Sequence, residues 1–182
     1  MIEMRFHGRG GQGAVTSAEL VAQAAIDTGK YATAFPSFGP ERRGAPVVAF
    51  ARVDERPIRL RSKIYNPDVV IVLDPSLLDI ANPAQGIRDT GILIVNTTHS
   101  AEAIRKQLNY KGRLALVDAG RIAQEVLGLP ITNTTMVGAL IKGTELMTVE
   151  ALKEPFNRRF GKIAPRNIEA MERAWKETAI SA

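Results

Sequence analysis

Short apolar runs and helical periodicities take turns along most of the chain. Residues 1–6 form a brief apolar run that ends at glycines, which predicts a strand. Between residues 14 and 26, Ala14, Val15, Ala18, Val21, Ala22, Ala25 and Ile26 recur at three- and four-residue spacing, so a helix with one buried face is expected there, closed by Gly29. Residues 31–35 predict a second strand, stopped by Pro36. Residues 69–73, 92–95 and 114–117 are continuous apolar runs, the pattern of strands covered on both faces. Helical segments are expected between and after them, at 77–81, 101–108 and 120–127. Beyond Pro130 the strand signal is lost, and helices are predicted over 136–141, 149–156 and 165–178, the last two separated by Gly161.

Two runs, 47–53 and 58–61, flank the polar turn Asp54-Glu55-Arg56-Pro57 and predict an antiparallel hairpin. Arg52, Arg56, Arg59, Arg61 and Lys63 cluster on it. The whole pattern predicts an α/β protein: a three-layer α/β/α domain with a mostly parallel but mixed sheet, a β-hairpin excursion and a C-terminal helical segment. One domain over 1–182 is expected, with an α/β core over 1–130 and a helical part over 131–182.

Composition mainly excludes. The 182 residues contain no cysteine, which removes disulfides, thiolate nucleophiles, thiolate zinc sites and cysteine-ligated iron–sulfur clusters from this chain. Only two histidines are present, His7 and His99, so a histidine-rich metal centre is not expected. No apolar run approaches the roughly 20 residues of a membrane span, and residues 1–6 lack the basic flank of a signal peptide. A cytoplasmic protein with no membrane contact is expected. Lys plus Arg number 24 against 19 Asp plus Glu, a net charge of +5 that does not by itself imply nucleic acid. No aromatics interleave with the arginines of the hairpin, and nucleic acid is not expected as a partner.

Candidate chemistry concentrates in two loops. Gly8-Arg9-Gly10-Gly11-Gln12-Gly13 has the spacing G-x-G-x-x-G between the first strand and the first helix. Glycine permits close backbone approach, and a helix start offers unpaired N–H groups and a positive dipole end, so a phosphate can rest there with Arg9 beside it. A tight turn whose glycines only allow close packing remains open beside that reading. A dinucleotide site needs an acidic ribose partner at the end of the second strand, and that strand ends in Phe35-Pro36. A nucleotide triphosphatase needs Gly-Lys-Ser/Thr after the loop, which is missing. The second loop, within 35–46, combines two phenylalanines, three prolines and the triplet Glu41-Arg42-Arg43. Such a stiffened loop either presents its arginines to an anion and its phenylalanines to a partner, or is a solvated charge cluster on a turn. Asp74 and Asp118 follow strands at the expected ligand edge but suit helix capping equally. His7 is expected to be a hydrogen-bonded structural residue, His99 a loop residue, and Asn133-Thr134-Thr135 the start of a helix.

The ordered segments HGRGGQGAVTSAELVAQAA, FPSFGPERRGAPV, RLRSKIYNPDVVIVLDPSLL and NTTMVGALIKGT resemble the gamma subunit of 2-oxoacid:ferredoxin oxidoreductases, over about residues 5–143. Within that family the second loop is most similar to gamma chains of pyruvate synthase (pyruvate:ferredoxin oxidoreductase). The resemblance implies CoA-dependent oxidative decarboxylation of a 2-oxoacid to acyl-CoA, with electrons passed to ferredoxin. Pyruvate is the first choice of acid; 2-oxoisovalerate and 2-oxoglutarate are alternatives, and a free-standing nucleotide-binding protein using the glycine loop is the rival from another class. The resemblance further implies thiamine diphosphate, Mg2+ and [4Fe-4S] clusters held on other subunits, with alpha, beta and cluster-bearing delta chains as partners. No catalytic or metal residue is assigned to this chain, which is expected to be inactive alone. Gly8, Arg9, Gly10, Gly11, Gln12 and Gly13 become a candidate loop for a CoA phosphate. Phe38, Gly39, Pro40, Glu41, Arg42 and Arg43 become a candidate CoA contact or subunit interface. Phe35, Phe38 and Trp175 are candidates for apolar surface that partners cover, which would leave the isolated chain open to homodimer formation.

Overall fold

The strands assemble into one seven-stranded mixed sheet in the computed structural model, which describes residues 1–37 and 43–182. Its strands are β1 (Ile2–Arg9), β2 (Tyr31–Pro36), β3 (Pro46–Asp54), β4 (Val69–Val72), β5 (Ile92–Asn96), β6 (Arg113–Val117) and β7 (Ala179–Ser181), in the order β2-β3-β1-β4-β5-β6-β7. β1, β4, β5 and β6 run parallel, whereas β3 is antiparallel to both β1 and β2, and β7 is antiparallel to β6.

Side-chain alternation sorts the sheet into two faces. Met4, Phe6, Val69, Ile71, Ile92, Ile94, Ala115 and Val117 enter one apolar cluster. Their neighbours Val70, Val72, Leu93, Val95 and Leu114 enter a second cluster on the opposite face. The first face carries α1 (Ala14–Asp27) and α5 (Asn133–Thr144), with α4 (Ala119–Leu127), α6 (Glu150–Phe160) and α7 (Ala164–Glu177) packed around them. The second carries α2 (Leu77–Ile80) and α3 (Ala101–Leu108). Residues from the C-terminal helices, among them Leu140, Leu152, Phe156 and Met171, share the first cluster with the strands. The three-layer mixed α/β architecture is thus the expected one.

Two helix starts, those of α3 and α4, carry a side-chain cap. Ser100 caps α3 by accepting from the Ala103 N–H, and α3 ends at Asn109 in the left-handed region. Asp118 caps α4 by accepting from the Arg121 N–H through Oδ1.

Two expectations fail. Residues 58–61 are not a strand, and no hairpin forms with residues 47–53. Both edges of β3 are already used, with Tyr31 to Pro36 opposite Asp54 to Ala49 on one side and Ile2 to Arg9 opposite Val53 to Pro46 on the other. The alternation Ile58-Arg59-Leu60-Arg61 therefore has no free partner, and residues 55–68 form an irregular strap between β3 and β4. The second failure is at the end of the chain, where the strand signal returns: Ala179, Ile180 and Ser181 pair with Leu116, Ala115 and Leu114. Arg52, grouped from the sequence with the basic residues of the predicted hairpin, is buried; its Nε donates to Glu3 Oε1 at 2.8 Å, and its Nη2 and Nη1 donate to the carbonyls of Ser62 (2.8 Å) and Leu60 (3.5 Å) in the strap.

Candidate functional site

β1 does not stop at Phe6. It continues through Gly8 and Arg9, which lie opposite Val47 and Pro46 of β3, so the glycine loop proper is residues 10–13. The loop turns on two left-handed residues, Gly11 (φ 94°) and Gly13 (φ 80°), and α1 begins directly after Gly13 without a side-chain cap. At Gly13 the glycine is required twice: the backbone is left-handed, and a Cβ would lie 2.5 Å from Asn133 Nδ2 of α5.

The polar side chains of this loop bond within the loop and to the turn after β4. The Arg9 N–H donates to Gln12 Oε1 (2.7 Å), the Gln12 N–H to the Arg9 carbonyl (2.9 Å), and Gln12 Nε2 to Asp74 Oδ2 (2.6 Å). The Arg9 guanidinium clamps the Ser76 hydroxyl through Nε (3.1 Å) and Nη2 (2.7 Å), the Gly44 carbonyl through Nη1 (3.0 Å), and pairs with Asp74 at 3.3 Å. Burial opposes ionisation of Asp74, but hydrogen bonds from Ser76 and Gln12 and the charge of Arg9 hold its carboxyl below the usual range. Gly10 is tied on both sides, its N–H to the Ala45 carbonyl (2.8 Å) and its carbonyl to the Gly44 N–H (3.1 Å). Among the described residues, the N–H groups of Gly11, Gly13 and the first turn of α1 have no partner assigned to them. An anion at this loop therefore meets backbone donors at the helix start, while Arg9 and Gln12 fix the shape that presents them.

Of the second loop, Phe38, Gly39, Pro40, Glu41 and Arg42 lie outside the described residues. Its ends are placed: the Ser37 N–H donates to the Val48 carbonyl (2.7 Å), Arg43 is exposed, and Gly44 and Ala45 bond to Gly10. The two loops named from the sequence thus meet at their bases.

His7 is mostly buried on β1, and its Nε2 accepts from Arg5 Nε at 3.0 Å. Burial first, and the Arg5 charge second, push its pKa down to about 3, so the ring is neutral. His99 is exposed, in the turn before α3. Phe35 is half-buried against Phe50, ring centroids 5.2 Å apart, with the Arg52 guanidinium 5.6 Å above it. Trp175 is 36% exposed and carries Lys142 Nζ 4.7 Å above its ring.

Several residues that sequence reasoning passed over complete this edge of the sheet. Asn96, buried at the end of β5, donates to the Leu73 carbonyl (2.9 Å) and accepts from the N–H groups of Ala119 (3.0 Å) and Gly120 (3.3 Å), joining β4 to the start of α4. Ser17 Oγ donates to the Asn133 carbonyl (3.2 Å), locking α1 to α5 behind the glycine loop. Beside Asn133 opens a cavity of about 340 Å³ lined by Leu129, Ile131, Phe160, Ile163 and Arg166. Among the described residues, no group of three or more His, Asp or Glu is arranged to hold a metal ion, and no helix is long and apolar enough to cross a membrane.

The match to known proteins runs nearly end to end. Residues 3–177 fit the family model described as pyruvate ferredoxin/flavodoxin oxidoreductase. A protein of Thermococcus kodakarensis named pyruvate/ketoisovalerate oxidoreductases common subunit gamma is 54% identical over 182 residues, covering 99% of this chain and 98% of its own. The pyruvate synthase subunit PorC of Methanosarcina barkeri is 50% identical over 153 residues, 84% of this chain and 83% of its own. The crystal structure of the pyruvate oxidoreductase subunit PORC of Thermotoga maritima superposes with a TM-score of 0.90 at 36% identity, covering 100% of this chain and 98% of that one.

Proposed function

The chain belongs to the pyruvate ferredoxin/flavodoxin oxidoreductase family, and on that footing we propose that it works as the gamma subunit of a complex that oxidises a 2-oxoacid with CoA. The reaction converts 2-oxoacid and CoA to acyl-CoA and CO2 and passes two electrons to ferredoxin. The observation that carries this reading is the end-to-end match to gamma chains, together with superposition on a solved relative over the full length. Pyruvate is the first acid. The Thermococcus relative is named as common to pyruvate and ketoisovalerate enzymes, which makes 2-oxoisovalerate the second.

The chemistry of electron transfer resides on companion chains. With no cysteine, this chain does not fit the thiolate ligation of an iron–sulfur cluster. We assign the [4Fe-4S] clusters to a delta-type chain, and thiamine diphosphate with Mg2+ to alpha and beta chains. The complex is read as cytoplasmic. Residues 1–182 are read as one domain, the 1–130 core and the 131–182 helices closing over a common apolar centre.

For this chain the proposed task is to seat part of CoA at the carboxyl end of the parallel strands, where the glycine loop lies. The N–H groups at the start of α1 would receive a phosphate, and the apolar cavity beside Asn133, with the Arg166 guanidinium at its wall, suits the adenine end. The test is a pull-down of the tagged chain from its native cytoplasm. The eluate is assayed for CoA-dependent viologen reduction with pyruvate, 2-oxoglutarate and 2-oxoisovalerate in parallel. Activity with cysteine-rich and thiamine-binding partners supports the reading and ranks the acids; a lone inactive chain that binds a nucleotide overturns it.

A further inference from the structure

Four of the 24 Lys and Arg residues crowd into one short stretch of the strap. Arg56, Arg59, Arg61 and Lys63 are all exposed, fall within eight residues of the strap, and form no ion pair among the described residues. Glu55, next to them, is turned to Lys30 (3.1 Å). Four neighbouring like charges repel one another, and their crowding without a carboxylate partner among the described residues favours a counter-charge brought by another chain.

The strap is neither helix nor strand, yet it is pinned. Arg52 holds the carbonyls of Leu60 and Ser62 from below, at the cost of burying a charge that Glu3 must neutralise. Arg88 Nε holds the Asn66 carbonyl at 3.0 Å, and Ile64 and Pro67 are buried. Between these anchors the side chains point outward, with Leu60 50% and Tyr65 72% exposed among the cations. The cavity of about 500 Å³ under the strap has Arg5, Lys63, Tyr65 and Asn66 among its walls and no carboxylate among the described residues.

We infer that the strap over residues 55–68 is a docking surface for the acidic face of a companion subunit, whose carboxylates meet Arg56, Arg59, Arg61 and Lys63 and whose apolar hollows receive Leu60 and Tyr65. The inference rests on the subunit reading above. Charge complementarity selects the partner's sign, and two exposed apolar side chains set in a cationic rim match the make-up of a protein interface. Nucleic acid fits less well. An irregular strap offers no helix or ribbon for a groove, and one tyrosine makes no stacking platform.

The test measures association of the full-length chain with its companion subunits, purified together, at low and high salt. Arg56→Gln/Arg59→Gln/Arg61→Gln/Lys63→Gln should slow association at low salt by roughly 10- to 100-fold and flatten its salt dependence. Arg59→Gln/Arg61→Gln, a milder change, should fall between. An equal loss of charge elsewhere, Lys106→Gln/Lys111→Gln/Lys162→Gln/Lys176→Gln, should leave association unchanged, and melting curves of all three variants should match the parent. If the parent chain does not bind the companions, the subunit reading itself fails. If it binds and the strap variants bind equally fast, or the control variant slows as much, the docking surface is wrong. Strap-dependent retention on duplex DNA, with companion binding untouched, overturns it in favour of nucleic acid.

Discussion

Gly138→Ala sets two physical effects against each other with opposite signs. Gly138 lies inside α5, where alanine is the better helix former by about 1 kcal/mol, so propensity alone predicts a more stable protein. The structure predicts the reverse. A Cβ at this position would stand 2.0 Å from the Met171 carbonyl oxygen, 2.9 Å from its carbon and 3.1 Å from the Trp175 nitrogen, all backbone atoms of α7. No side-chain rotation relieves such a contact, and the two helices must separate by about 1 Å or more. Their shared seam includes Met136, Val137, Leu140, Met171 and Ala174, all at most 1% exposed, so separation opens packing along several turns. Overpacking costs about 1–3 kcal/mol where side chains can adjust. A backbone clash belongs at or above the top of that range, and a net loss of about 3–5 kcal/mol is expected. Urea titration followed by circular dichroism reads it directly, and the melting temperature should fall by roughly 6–20 °C at about 2–4 °C per kcal/mol. Gly120→Ala in α4 is the control, since the nearest atom there is Asp118 Oδ1 at 3.7 Å and only the propensity gain applies. If Gly138→Ala were as stable as the parent, or rose with Gly120→Ala, the close α5–α7 crossing would be refuted.

Two further outcomes follow from the site. Gly13→Ala should lose about 2–4 kcal/mol from its left-handed φ of 80° and the collision with Asn133, and Gly11→Ala, left-handed but in open space, only about 1–2 kcal/mol; equal losses in urea titration would remove the collision from the account. His7 is held neutral with a folded pKa of about 3 against an ordinary 6.5, so its contribution is complete above pH 6.5 and drains away as pH falls toward 3, because the unfolded chain takes up the proton that the fold refuses. Near pH 4 the loss should be about 3 kcal/mol, at about 1.4 kcal/mol per unit. His7→Gln keeps an acceptor for Arg5 and lacks the titration, so parallel pH profiles for the two proteins would sink the assignment.

What the sequence can announce depends on whether the relevant contacts are local. β4, β5 and β6 are legible because strands buried on both faces must be apolar at every position, and a run such as Val69–Val72 suits little besides an interior strand. The helix Ala101–Leu108 is legible because Ser100 and Asn109 mark its ends. The misplaced hairpin shows the opposite case. Residues 47–53 have strand character, but nothing in their alternation says that β1 and β2 flank them, and the nearest alternating run is the wrong partner. β7 has three residues, too few for periodicity to register. Spacing alone finds the glycine loop, yet the work of Arg9 and Gln12 stays hidden because it depends on Asp74 and Ser76, more than sixty residues away in the chain. Gly138 reads in sequence as a weak point in a helix and proves to be where two backbones touch.

The lacing of the two loops carries a consequence for exchanging parts between relatives. The Gly10 N–H reaches Ala45, the Gly44 N–H returns to Gly10, and Arg9 holds the Gly44 carbonyl. Residues 9–13 and 43–46 are separated in the chain by α1 and β2 but are stitched at one seam. A chimera that imports the second loop alone would meet a glycine loop cut for a different partner, with three stitches to lose. Grafts that respect the seam must carry both segments together, along with Asp74 and Ser76, which hold Arg9 in place. The transferable module is therefore discontinuous, and its boundaries follow hydrogen bonds, not the order of residues in the gene.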